Sequence, residues 1–192
     1  SLTATQCSGQ SGIYRGDGTG CATSACAPSY TAGNLVVLQA GDGVTTVSSS
    51  NAAPPFLREI RISDGATIQS TALPATVTSV GNRAITGVGN STTEGSIARS
   101  LDGAYVLTTG YNAAPGTAGI GGSGGSTSRV VCRINGAGFV DTTTAFLDNT
   151  FAGSSPRGVA STNGQSIWIS GNGTNTLDGG TRFLNYGATS SV

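Results

Sequence analysis

Four dipeptides, Asp64-Gly65, Asp102-Gly103, Asn135-Gly136 and Asn163-Gly164, each stand between two short runs of β-branched and apolar residues. Asp-Gly and Asn-Gly are the pairs that tolerate the positive φ angles of a tight hairpin turn. The flanking runs are too short and too rich in Val, Ile, Thr and Gly for helices, and no segment keeps a helical apolar stripe beyond about one turn. Four hairpins follow: residues 58–73 (REIRISDGATIQSTAL), 95–110 (GSIARSLDGAYVLTTG), 129–146 (RVVCRINGAGFVDTTTAF) and 158–171 (GVASTNGQSIWISG). With two-residue type I′ turns at each dipeptide, the chain reads as all-β.

The second and fourth hairpins echo one another. Asn163-Gly164 falls under Asp102-Gly103 and Gly171 under Gly110, an offset of 61 residues. The first and third form the other pair, Arg-containing and apolar before the turn and rich in Thr and Ala after it. An inner and an outer hairpin thus alternate, and two hairpins per period make a four-stranded antiparallel unit. That is the pattern of a propeller-like array of blades, with a β-sandwich as the alternative. Strands around 105–107 and 167–169 are apolar on both faces, as inner strands between neighbouring blades would be. The length supplies about three blades, whereas a closed ring needs about four. Residues 181–186 read as the first strand of another outer hairpin. The expected division is a Cys-containing segment over residues 1–33 and a β-hairpin domain over 34–192.

Composition narrows the function classes. The 192 residues carry a net charge of zero, and charged residues are 9% of the chain, against about 25% in ordinary globular proteins. A chain without a net field has no electrostatic means of holding nucleic acid or an anionic membrane, so neither is expected as a partner. No run reaches the length of a membrane span. Cys7, Cys21, Cys26 and Cys132 suit an oxidising compartment, and one pairing would staple the amino-terminal segment to the strand around Cys132. Extracellular or cell-surface localisation is the reading that follows.

The succession NLVVLQAGDG, FLREIRISDGATIQSTALP, TTEGSIARSLDGAYVLTTGYNAAPGT, SRVVCRINGAGFVDTTTAF and SPRGVASTNGQSIWISGNG resembles a family of secreted, propeller-like repeat proteins of bacterial and algal genomes that carry no assigned activity. The resemblance covers residues 34–192, about the first half of such a protein. It implies an extracellular location and a longer parent chain, and it brings no catalytic residues.

The absence of His removes a Ser-His-Asp triad and imidazole metal sites, and the absence of Lys removes Schiff-base chemistry and Walker-type phosphate binding. A glycosidase-like carboxylate pair would have to come from Glu59, Glu94 or Asp141. Asp64 and Asp102 belong to their turns, and Asp42 and Asp178 stand beside Gly. No Asp-rich calcium loop is present, so no metal and no cofactor is expected. Residues 14–18 (YRGDG) contain the tripeptide that some integrin receptors bind, in a common turn sequence. Residues 110–128 read as a long, flexible Gly-rich solvent loop. Asn90 and Asn172 open N-glycosylation sequons. Tyr111, Asn112, Trp168 and Asn172, with Tyr186, are the side chains that a ligand-facing loop surface would offer. The function expected is a non-catalytic extracellular surface or matrix structural protein, assembling with itself or with the remainder of a longer chain. A carbohydrate-binding lectin or adhesin with glycan partners is the alternative, and a fragment of a secreted hydrolase is a third.

Overall fold

A computed structural model of the chain describes residues 29–47, 49–124 and 126–191. Cys7, Cys21, Cys26 and the Arg15-Gly16-Asp17 tripeptide lie outside them. Thirteen strands and no α-helix occur among the described residues. Strands β1 (Leu35–Ala40), β3 (Pro55–Ile60) and β4 (Thr67–Ala72) form an amino-terminal antiparallel sheet in the order β1-β3-β4, and β2 (Ala52–Ala53) pairs with β5 (Gly87–Val88) beside it. The central sheet runs β6 (Ile97–Arg99), β7 (Tyr105–Tyr111), β8 (Arg129–Asn135), with β9 (Val140–Asp141) and β10 (Ala145–Phe146) as a return strand in two pieces on β8. A carboxyl-terminal meander, β11 (Pro156–Ser161), β12 (Ser166–Gly171) and β13 (Gly180–Asn185), completes the set, and no sheet closes into a barrel.

Side-chain alternation along β8 shows how the sheets stack. Val131 enters a core with Leu107, Phe146, Phe151, Val159, Ile167, Ile169 and Leu184, between the central and carboxyl-terminal sheets. Its neighbours Cys132 and Ile134 enter another core with Leu57, Leu73, Ile85 and Val140, on the amino-terminal sheet's side. The central sheet is therefore covered on both faces. Burial on both sides was expected for the strands around 105–107 and 167–169. Over 105–107 it holds only at Leu107, since Tyr105 and Val106 are half-buried and the fully buried run of β7 is Leu107–Tyr111. It fails in β12, where Ile167 and Ile169 are buried but Trp168 is 38% exposed.

All four hairpins form at the expected places, but their turns are longer than two residues. Asp64, Asp102 and Asn163 keep ordinary negative φ, and only Gly65, Gly103, Gly138 and Gly164 are left-handed. The reason is the Asx side chain. Asp64 Oδ1 accepts the Ala66 N–H, Asp102 Oδ1 the Ala104 N–H, and Asn163 Oδ1 those of Gln165 and Ser166. Each turn is thus an Asx-capped bend with one glycine reversing the chain. In the third hairpin the left-handed glycine is Gly138 rather than Gly136, and Phe139 N–H donates to Asn135 Oδ1.

The four turns share one end of the stack. Tyr105 pairs with Asn135, so the β6–β7 and β8–β9 turns adjoin. Leu101 and Asp102 N–H donate to the Ser161 and Thr162 carbonyls, which brings in the β11–β12 turn. Tyr30 N–H reaches the Gly136 carbonyl while Thr31 N–H reaches Glu59, at the β3–β4 end. The fold thus holds residues 30–31 through hydrogen bonds from their backbone N–H groups.

Gly110 and Gly171, the echoing glycines, have one explanation. A Cβ on Gly110 would lie 2.5 Å from the Thr86 carbonyl oxygen, and one on Gly171 2.5 Å from that of Ser155. In both places a crossing segment runs against the strand end, as the Thr86–Tyr111 bridge records. Gly110→Ala should cost about 1–3 kcal/mol through overpacking against backbone. Gly87→Ala, with open space and ordinary φ, should stay within about 0.5 kcal/mol. Urea midpoints compare the two.

Cys132 is a free, fully buried thiol, and burial, with the Asp141 carboxylate adding to it, pushes its pKa well up. It should resist alkylation at pH 8 in the native protein and react only on unfolding, as peptide mapping of iodoacetamide adducts would report.

Candidate functional site

Three buried or half-buried arginines shape the interior. Arg129 is 1% exposed and donates to the carbonyls of Ser123, Gly124, Thr127 and Ser154 at 2.7–3.0 Å, its guanidinium 5.3 Å from the Tyr111 ring. Arg83 likewise collects the Ser79 and Thr143 carbonyls. Arg133 stacks between Tyr186 at 3.4 Å and Tyr105 at 4.6 Å and donates to the Gly164 carbonyl. Planar guanidinium forks suit this work, because several fixed donors meet carbonyls that have no strand partner. Sequence reading missed them, since arginine carries no mark of burial.

Arg129 also fastens residues 110–128, expected as a flexible solvent loop, through the Ser123, Gly124 and Thr127 carbonyls. Ile120 lies in a small core with Ala52, Tyr111 and Ala113, and Ala52 exchanges backbone hydrogen bonds with Gly116 and Thr117. The loop is a fastened flap because that core and Arg129 hold it.

The carboxylates considered for catalysis occupy separate structural posts. Glu59 is fully buried and accepts from Thr31 N–H and Asn34 Nδ2 on one oxygen and Gln69 Nε2 on the other. Glu94 accepts the Tyr111 hydroxyl and the Val88 N–H. Asp141 accepts from Thr143 and, at 2.6 Å, from the Tyr186 hydroxyl. Among the described residues no three His, Cys, Asp or Glu side chains converge. No described helix is long and apolar enough to cross a membrane.

Of the ligand-facing candidates, Tyr111 is fully buried and Asn112 donates to the Thr78 carbonyl. Trp168 and Asn172 are exposed and lie at the outer side of the carboxyl-terminal sheet. There Trp168 pairs across the ladder with Phe183, the rings 5.2 Å apart. Alternation places Ala160, Ser170, Thr181 and Asn185 on the same face. At one end of the sheet, residues 171–180 line a shallow open depression of about 370 Å³, walled by Gly, Asn and Thr. The outer edge of β13 has no strand partner among the described residues. Asn90 and Asn172, the sequon asparagines, are both exposed.

This face has a counterpart inside the molecule. Under the 61-residue offset, Leu107 of β7 corresponds to Trp168 of β12. Leu107 is fully buried beneath the carboxyl-terminal sheet, whereas Trp168 carries no covering sheet among the described residues. No family model, curated protein or solved structure matches the chain.

Glu59 and Asp148 set the acid sensitivity. Burial works to raise the Glu59 carboxyl, but hydrogen bonds from Gln69, Asn34 and Thr31 outweigh it and hold the pKa below its ordinary value. Asp148 is lowered in the same way by Thr150 and Ser191, against burial. A depressed folded-state pKa gives stability that is complete above the ordinary carboxylate range and is lost as pH falls through the folded value. Urea midpoints should therefore drop between pH 6 and pH 3. Glu59→Gln should cost about 1–3 kcal/mol at pH 7, since an amide N–H₂ then opposes buried donors. Its deficit against the parent should shrink at pH 3.

Proposed function

We propose that the chain is a non-catalytic extracellular structural protein of a surface or matrix. Its sheets are successive blades of a propeller-like array, and its work is association through the exposed outer sheet. The observation that carries this reading is the Trp168–Phe183 face, the repeat counterpart of a face that is buried between the central and carboxyl-terminal sheets. Sheets that bury both faces in the middle of a stack and leave an aromatic pair at its end are built to be continued. The four-stranded course of β6, β7, β8 and β9/β10 supports the blade reading, with β13 standing where β8 stands in the central sheet. The low charge and the Ser, Thr and Gly-rich exterior suit a displayed material rather than a reaction vessel.

A second reading draws on the same aromatic pair together with the polar depression beside it. Sugar rings stack on exposed aromatic faces while Asn and Thr side chains meet their hydroxyls, so a lectin or adhesin is the competing function.

Light scattering of the full chain, with reductant present to exclude intermolecular disulfides, should give a mass that rises with concentration. Trp168→Asp should return it to the monomer. A mass that stays monomeric, combined with quenching of Trp168 fluorescence by oligosaccharides, would replace assembly by the lectin reading.

A further inference from the structure

Resting on the self-association reading, we infer that copies join head to tail, the outer face of the carboxyl-terminal sheet of one against the outer face of the amino-terminal sheet of the next. Within the chain the stacking step is directional. The amino-terminal sheet presents Val36, Leu38 and Leu57 to the central sheet, and the central sheet presents Leu107 and Val131 to the carboxyl-terminal one. Each sheet thus uses one face toward the sheet before it and the opposite face toward the sheet after it.

Among the described residues two faces are left over. Alternation puts Leu35, Val37, Phe56 and Ile60 on the outer side of the amino-terminal sheet, paired as Leu35 with Ile60 and Val37 beside Arg58. Leu35 is 52% exposed. This is the face toward a preceding sheet, and the Trp168–Phe183 face is the one toward a following sheet. A second copy supplies both needs in the order in which the sheets already follow one another inside the chain. The contact extends that order beyond the chain and is heterologous, with different patches meeting. Charge offers no barrier, because the Trp168 face bears no charged side chain and the Leu35 face bears Arg58 alone. A three-stranded face six residues long is roughly 20 Å by 14 Å, well below the ~800 Å² per partner of a standard stable interface. Association is therefore weak and concentration-dependent.

The test uses the full chain under reductant, with folding checked by circular dichroism and urea midpoints. Trp168→Asp blocks one face and Leu35→Asp the other. Thr181→Arg and Ser70→Arg, exposed positions on the same two faces, add bulk and charge without removing a buried group. Sedimentation should show each variant alone as a monomer. An equimolar mixture of one variant from each face should form a one-to-one heterodimer that grows no further, because one intact face of each kind remains. If Trp168→Asp abolishes assembly while Leu35→Asp leaves it unchanged, like faces meet and the head-to-tail inference falls while self-association stands. Assembly that survives substitutions on both faces points to the β13 edge and also overturns it. A parent chain that stays monomeric up to its solubility limit overturns both this inference and the reading beneath it.

Discussion

A sheet covered on both faces has no solvent side on which to place polar groups, and the rest of this molecule follows from that constraint at its central sheet. Leu107 and Val131 face one neighbour, and Cys132 and Ile134 the other. A polar atom trapped there has no water to turn to, and an unpaired one costs about 1–3 kcal/mol, so most find partners inside the protein, Thr109 Oγ1 and Arg129 Nε being left without one. The partners are drawn from unusual places. Thr108 donates to the Ser96 carbonyl, Arg129 gathers four carbonyls from the loops around it, and Asp141 meets the Tyr186 hydroxyl. The charged residues that a low-charge chain retains are thereby largely spent on organising backbone.

That economy bears on the functional reading. Glu59, Glu94 and Asp141 each have their oxygens committed to donors that hold a segment or a side chain in place. What the described surface offers instead is shape and composition: an aromatic pair on a small, uncharged sheet face, an open edge strand, and a Gly-, Asn- and Thr-walled depression beside them.

The hairpins were legible because their punctuation is local. An Asx residue with a glycine close behind it reverses the chain in these hairpins by its own side-chain hydrogen bond and one left-handed residue. The number of residues in each turn was not legible, since it depends on how the flanking strands twist and pair. The echo between β6–β7 and β11–β12 was visible in the sequence, but its glycines could not be explained there. Gly110 and Gly171 answer to carbonyls of Thr86 and Ser155, contacts that only the folded arrangement creates. Burial of Arg83 and Arg129 escaped notice for the same reason, and so did the exposure of Trp168. Its alternation pattern matches that of a covered strand, and only the absence of a further sheet uncovers it. Ile120 sits in a Gly-rich run that reads as solvent loop, yet one apolar side chain suffices to seat it against Tyr111 and Ala113.

The way the sheets meet gives the molecule a mechanical grain. Along the strands, ladders of backbone hydrogen bonds resist shear together. Between the central and carboxyl-terminal sheets, cohesion rests chiefly on apolar side chains, the Arg133 stack and a few backbone links such as Leu101 to Ser161 at the turn end. Tension applied along the stacking direction therefore meets short-range packing that yields layer by layer, while tension applied along the strands meets many bonds at once. The fold is therefore stiff along its strands and compliant between its sheets.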